Sequence, residues 1–417
     1  GGGGGTNAGP VARAMIDAFI TSTGECQHHA TEPQKAMIRN DFQRQFRSNG
    51  SPVTRRTSLL QAVHLDASLL GGLLLLLTAG LFVLYSASGE SQPMVMRQLT
   101  RIVVGLIVMM IMAQISPSSY KRWSPWLYVI GIGLLIGVLV LGTEAKGAQR
   151  WLPLPGGVRF QPSEVMKLIV PMMVSWYLAE RALPPQWKPV VASCVLILIP
   201  TLLIAKQPDL GTSLLIASSG IFALFLSGLR WRVIGGFAIS LVPIATGAWF
   251  LMRDYQKQRV LTFLDPERDP WGTGWNIIQS KTAIGSGGLS GKGWLNGTQA
   301  HLDFLPESHT DFIIAVLAEE FGLVGVCTLL ILYFAIIGRG IYIALNAQDT
   351  YSRLLAGSIT LTFFVYIFVN IGMVSGLLPV VGVPLPFVSY GGTSIVTLFA
   401  GFGILMSVQT HRKLLSR

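Results

Sequence analysis

From Ala67 onward the chain is built from apolar runs long enough to cross a hydrocarbon core of about 30 Å, which takes about 20 helical residues each. We place ten of them, at residues 67–87, 97–116, 125–142, 162–180, 189–205, 211–229, 232–252, 320–338, 354–376 and 391–409. The expected fold class is therefore an all-α polytopic membrane protein of about ten transmembrane helices, with one large extracytoplasmic loop between helices 7 and 8. Composition points the same way. Of the 417 residues, 51% are hydrophobic and 12% charged, whereas soluble globular chains carry about a quarter charged residues. A soluble enzyme is excluded. The net charge of +11 does not indicate nucleic acid, because Lys and Arg are scattered between the apolar runs and form no dense basic tract.

Basic residues beside spans fix topology. An N-terminus inside the cell places Arg55-Arg56, Lys121-Arg122, Arg181 with Lys188, Arg230 with Arg232, Arg339 with Arg353, and His411-Arg412-Lys413 in the cytoplasm. Arg97, Arg101, Lys146, Arg150 and Arg159 fall on the outer side, against the rule. Positive charge kept there suggests that something anionic is handled at that face. Residues 1–36, opening on five glycines, read as a fused or partner-derived tail, residues 37–66 as a cytoplasmic N-terminal segment, and residues 67–417 as the transmembrane domain. Three cysteines, Cys26, Cys194 and Cys327, give no disulfide framework.

The loop from about residue 253 to 310 is far longer than any other connection, and loops of that length are usually functional or disordered. Its Trp content argues for packing. Arg259 precedes a Gly-rich stretch, Gln279 to Gly293, containing Lys281 and Lys292. Glycines beside Ser and Lys expose backbone N–H groups that can bind phosphate oxygens, and the same pattern also reads as a Gly-rich turn with solvated lysines. Asp311 follows Ser308-His309-Thr310 at the start of an apolar stretch. Either Thr310 caps a helix and Asp311 complements its dipole, or Asp311 is a carboxylate at the membrane boundary placed to take a proton from a sugar hydroxyl. Glu307 could tune Asp311 or share a metal with it.

Glu164 and Lys167, three apart at the start of the fourth helix, share one helical face. They serve either as a structural ion pair or as substrate contacts. Asp209, after Gln207-Pro208, starts the sixth helix or lines the site. Glu319 and Glu320 lie about 12 Å beyond Asp311 along a helix. Two adjacent buried carboxylates are costly, so a short outer helix ending near Phe321-Gly322 is expected, with the span starting there. The stretch Leu378 to Gly392 holds too many Pro and Gly to be helical throughout, and non-helical backbone at that depth must pack in protein or line a cavity.

The segments Lys146-Gly147-Ala148-Gln149-Arg150-Trp151, Phe160-Gln161-Pro162-Ser163-Glu164, Gln207-Pro208-Asp209-Leu210-Gly211-Thr212, Leu305-Pro306-Glu307-Ser308-His309-Thr310-Asp311-Phe312 and Pro384-Leu385-Pro386-Phe387-Val388-Ser389-Tyr390-Gly391-Gly392 together resemble the SEDS family of cell-wall proteins, across essentially all of residues 67–417. The closer likeness is to its elongation branch. The resemblance implies a ten-helix glycosyltransferase of the bacterial inner membrane that polymerises lipid II, with Asp311 essential and the site facing the periplasm. Substrate contacts are expected from Glu164, Lys167, Asp209, Glu307, His309 and Ser389, and the leaving pyrophosphate needs cations, for which Arg259, Lys281, Lys292 or a divalent cation (Mg²⁺ or Mn²⁺) are the candidates. A class B penicillin-binding protein is the implied partner, with other elongasome membrane proteins beside it, and Asn7 to Phe19 resembles the C-terminal end of such a protein. Transport of lipid II across the membrane and a purely scaffolding role are the alternatives.

Overall fold

The computed structural model describes residues 63–145, 148–153, 159–207, 209–251, 257, 261–262, 274–298 and 308–411. The expectations for residues 1–62, and for Arg259 and Glu307, fall outside these. Helices are α1 (Ala67–Ala87), α2 (Gln92–Gln114), α3 (Pro117–Leu141), α4 (Pro162–Ala179), α5 (Trp187–Lys206), α6 (Leu210–Leu226), α7 (Trp231–Leu251), α8 (Trp275–Gly287), α9 (Ile313–Leu345), α10 (Thr350–Val374) and α11 (Thr393–Thr410). All ten expected spans are present as helices. Among the described residues, seven helices are long and apolar enough to cross a membrane, and α6 is a shorter apolar one.

Two features depart from expectation. A small antiparallel sheet, β1 (Thr143–Ala145), β2 (Ala148–Pro153) and β3 (Arg159–Phe160), lies between α3 and α4. Within the large loop, residues 279–287 belong to α8 and are not a glycine turn. As expected, a short outer helix from Ile313 ends at the non-helical Gly322 (φ 62°, ψ −158°), where the span begins, and the two are labelled together as α9.

Chain starts are set by local chemistry. The Asp66 carboxylate caps α1, accepting from Leu69 N at 2.8 Å, and also holds Arg339 of α9 through Nε at 3.1 Å and Nη2 at 2.5 Å. Proline opens α2, α3 and α4, where its missing N–H costs no hydrogen bond. With lipid around the bundle, association rests on close packing, and small residues supply it. A side chain at Gly403 of α11 would meet the Met109 backbone of α2, one at Gly105 would meet the Phe399 ring, and one at Gly220 would meet Ile197. Helix α10 lies at the centre, packed on α9, α6 and α4, whereas the described side chains of α7 are exposed or half-buried.

The segment between α10 and α11 is non-helical, and residues 385–389 within it are buried. Phe387 adopts φ 63° and is packed among Phe363, Phe399 and Phe402. Gly80 on α1 leaves room for it, since a Cβ there would lie 2.7 Å from Phe387 O. The Tyr333 hydroxyl donates to Pro386 O at 2.7 Å. Backbone groups freed from helix are thus satisfied by neighbouring side chains, as depth in a membrane requires.

Candidate active site

The α1–α2, α5–α6 and α10–α11 connections, the small sheet and the Asp311 turn meet at the end of the bundle called here the loop face. Asp311 sits half-buried in the turn preceding α9. Phe312 takes the cap position of that helix, with no side-chain cap, so the capping role considered for Thr310 does not occur. The turn is held through its backbone. Asn370 of α10, fully buried, donates from Nδ2 to Asp311 O at 2.8 Å and to Val383 O at 2.7 Å. Ser389 Oγ donates to Thr310 O at 2.5 Å while accepting from Leu385 N at 2.8 Å. Tyr390 N donates to His309 O at 2.9 Å, and the two rings meet edge to face with centroids 6.0 Å apart. Ser308 Oγ donates to Ala87 O at 3.1 Å. Gly382 adopts φ 73°, and a Cβ there would lie 3.6 Å from Asp311 Oδ2. Held this way, the carboxylate keeps its position although its own turn lacks regular structure.

Helix α2 closes the frame. Gln98, 1% exposed, donates to Ser389 O at 3.3 Å and accepts from Gly391 N at 3.4 Å. One turn further on, Arg101 Nη1 donates to Gly391 O at 3.1 Å, and its guanidinium lies 4.5 Å over the Tyr390 ring. Asn370 and Gln98 were not among the residues singled out from the sequence, and Arg101 stood out only as positive charge on the outer side. The signal was present, because a polar side chain inside an apolar span is a functional hypothesis by default.

The Glu164–Lys167 pair lies deeper, buried and 2.7 Å apart, with the ammonium 5.1 Å over the Tyr366 ring. Glu164 Oε2 has no hydrogen-bond partner. A narrow cavity of about 30 Å³ beside Lys167 is lined by Thr362, Tyr366, Ser394 and Thr397. A second cavity shares Tyr366 and Ser394 and reaches Ser389 and Gly391, so the ion pair adjoins the segment that frames Asp311. Asp209, buried, caps α6 by accepting from Thr212 N at 3.2 Å, takes Gln161 Nε2 at 3.4 Å and lies 3.6 Å from Arg150 Nε. It joins three of the sequence motifs, and its helix-start reading is the one seen.

The Gly-rich segment differs from the expectation. Gly287 and Gly291 are needed for close approach to α9, where a Cβ would strike the backbone carbonyls of Ala318 and Glu320; they form no phosphate cradle. Lys292 Nζ lies 2.6 Å from Glu319 Oε1, so its charge is engaged by protein. Thr298 N and Oγ1 each donate to the same oxygen at 2.9 Å, and Ser86 Oγ donates to Glu320 Oε1. Both glutamates are buried, at 0% and 1% exposure, contrary to the expectation that their cost would keep them out. These donors replace the water they give up. Lys281 is exposed, with its side chain lying against Gly376. Among the described residues no three His, Cys, Asp or Glu side chains come together as a metal site.

A bundle of long apolar helices defines a multi-pass membrane protein, and the framed carboxylate of Asp311 lies at one end of it. The FtsW/RodA/SpoVE model of cell cycle proteins matches residues 60–414, and the chain belongs to that family. It is 57% identical over 356 residues to the peptidoglycan glycosyltransferase MrdB of Escherichia coli K12, covering 85% of this chain and 96% of the relative. A probable peptidoglycan glycosyltransferase FtsW of Trichlorobacter lovleyi is 36% identical, covering 84% and 94%. Among solved structures, a chain from a peptidoglycan synthase complex that coordinates polymerization and crosslinking superposes with TM-score 0.73 at 30% identity, covering 84% of this chain and 98% of that one. The rod shape determining protein RodA of Thermus thermophilus gives TM-score 0.62 at 27% identity, with the same shares covered.

Proposed function

We infer that this chain is a peptidoglycan glycosyltransferase of the bacterial inner membrane that polymerises lipid II during cell elongation, working with a class B penicillin-binding protein. The observation that carries the site assignment is the frame around Asp311. Buried Asn370 and Ser389 hold its turn by the backbone, leaving a half-buried carboxylate at the end of the bundle. Lipid II carries its sugars at the membrane surface and its tail in lipid, and a site at the mouth of a helical bundle serves both.

In the proposed reaction, Asp311 accepts the proton of the acceptor's 4-hydroxyl as that oxygen attacks the donor's anomeric carbon. The bond to pyrophosphate breaks as the new glycosidic bond forms, with inversion. A single carboxylate acting as base, with no second one placed as nucleophile among the described residues, fits direct displacement. The departing pyrophosphate needs positive charge. Lys281 and Arg259 remain candidates for it, and Lys292 is set aside because Glu319 holds its ammonium. A divalent cation stays a proposal, and no step above runs through one. On this reading both chain termini are cytoplasmic and the loop face is periplasmic.

The test is polymerisation of purified lipid II by the protein with its partner present. Asp311→Asn should reduce glycan synthesis by at least 10²-fold, within the range for losing a general base, while the complex still forms. Normal polymerisation by Asp311→Asn would falsify the base assignment, and an intact complex without any polymerase activity in the wild type would favour a scaffold.

A further inference from the structure

We propose that Arg101 is an anion-binding residue that receives the phosphate groups of the lipid-linked pyrophosphate; this rests on the glycosyltransferase reading above. Arg101 lies on α2 about one turn, roughly 6 Å at 1.5 Å per residue, inside the span expected to begin at residue 97. A guanidinium within a span calls for a partner, a ligand or water. Among the described residues no carboxylate lies within ion-pair distance of it. Its contacts are one N–H donated to Gly391 O and the face of Tyr390. A guanidinium has five N–H donors in a planar fork, so most remain available, and the side chain is half-buried and reachable. By contrast, the Arg339 fork is filled by the two oxygens of Asp66.

The contacts Arg101 does make fix its orientation and tie it to the base. Gly391 O and the Tyr390 ring hold the fork on two sides. Tyr390 N binds His309 O, and the neighbouring Ser389 Oγ binds Thr310 O, so Arg101 is anchored to the same short segment that anchors the two residues before Asp311. A planar fork pre-set in this way suits bidentate recognition of phosphate. The sequence had already marked Arg101 as positive charge against the topology rule. An anion held here would sit at the face where the bond to pyrophosphate breaks.

The experiment measures lipid II polymerisation by the full chain with its partner in detergent, and its inhibition by inorganic pyrophosphate at fixed free divalent-cation concentration. Inorganic pyrophosphate should compete with lipid II on the wild type. Arg101→Gln should raise KM at least about tenfold and the inhibitory pyrophosphate concentration by a similar factor, the scale of a lost charge-assisted hydrogen bond. Arg101→Lys should recover part of both, since it keeps the charge and loses the fork; it also serves if the Gln variant fails to fold. Unchanged KM and unchanged inhibition in Arg101→Lys, or no competition on the wild type, overturns the proposal. A parallel arm compares nanodiscs of phosphatidylglycerol and phosphatidylcholine. If Arg101→Gln changes only the response to phosphatidylglycerol, the residue binds bulk lipid headgroups and the proposal fails. Asp311→Asn is run alongside. An inactive Asp311→Asn with an unaffected Arg101 series sinks this inference alone, whereas an active Asp311→Asn sinks the reading on which it rests.

Discussion

The protein holds two glutamate–lysine pairs of nearly equal length, each with a buried carboxylate, and they are built differently. Glu319 meets Lys292 at 2.6 Å, and Thr298 adds two further donors to the same oxygen. Glu164 meets Lys167 at 2.7 Å, and its second oxygen has no partner. The first is a saturated clasp that fastens the Gly-rich segment to α9. The second keeps an acceptor in reserve, and its lysine lines a narrow cavity. A buried ion pair by itself is weak evidence of either stability or function, and here the unused hydrogen-bonding capacity separates the two.

The contrast can be broken by removing partners. The largest effect on stability is expected for Glu319→Ala, which strands Lys292 and both Thr298 donors. Removing one member of a fully buried pair costs 3–5 kcal/mol; Lys292 keeps 30% of its side chain accessible and can turn to water, so we expect about 2–3 kcal/mol, read as a lowered thermal unfolding temperature in detergent. Replacing whole pairs sharpens the distinction. Glu319→Met with Lys292→Met still leaves the Thr298 donors unmet and should cost about 1–3 kcal/mol. Glu164→Met with Lys167→Met removes both charges together and should change stability by less than about 1 kcal/mol, since well-packed apolar replacements of buried pairs are often neutral. Polymerase activity should nevertheless fall more than tenfold in that second double variant if the pair serves the site. Equal destabilisation by the two double variants would show that the spare oxygen of Glu164 carries no meaning.

The smallest effect lies at the opposite end of the bundle, where His64 and His411 stack with ring centroids 4.0 Å apart. Burial, and then the nearby His411, hold the His64 imidazole below its ordinary value of 6.5. The folded state therefore takes up a proton less readily than the unfolded chain. Stability is unaffected above pH 6.5 and declines as pH falls below it. The unfolding temperature should drop slightly between pH 7.5 and 5.5, and His64→Gln should flatten that slope.

Most of the architecture was legible because the bilayer leaves few options. Runs such as Ala67–Ala87 and Thr350–Val374 are long and apolar, and length alone identifies them. The break at Gly322 was also readable, from a glycine following two glutamates. Their burial was not, because the donors that compensate them come from Ser86, Lys292 and Thr298, remote in sequence or exposed by pattern. The helix over residues 275–287 was missed because its glycines and serines read as a turn, while packing of Ile277 and Ala283 into the core overrides propensity. Asp311, Glu164 and Asp209 stood out as charges in apolar surroundings. Asn370 and Gln98 did not, since a single neutral polar residue leaves a hydrophobic run intact on paper.

Helix α9 has a further consequence at Gly322. The backbone around the break is paired on both sides, Lys292 N to Glu319 O at 3.0 Å and Gly293 N to Glu320 O at 2.9 Å, then Leu323 N to Gly288 O at 3.0 Å and Val324 N to Leu289 O at 3.2 Å. Four main-chain bonds bracket the residues between 289 and 292 and fix how many there can be. Surface connections ordinarily tolerate insertions and deletions. This one is locked in length, so adding or removing one residue between Leu289 and Lys292 would put segment and helix out of step, where a change of side chain at exposed Ser290 would pass unnoticed.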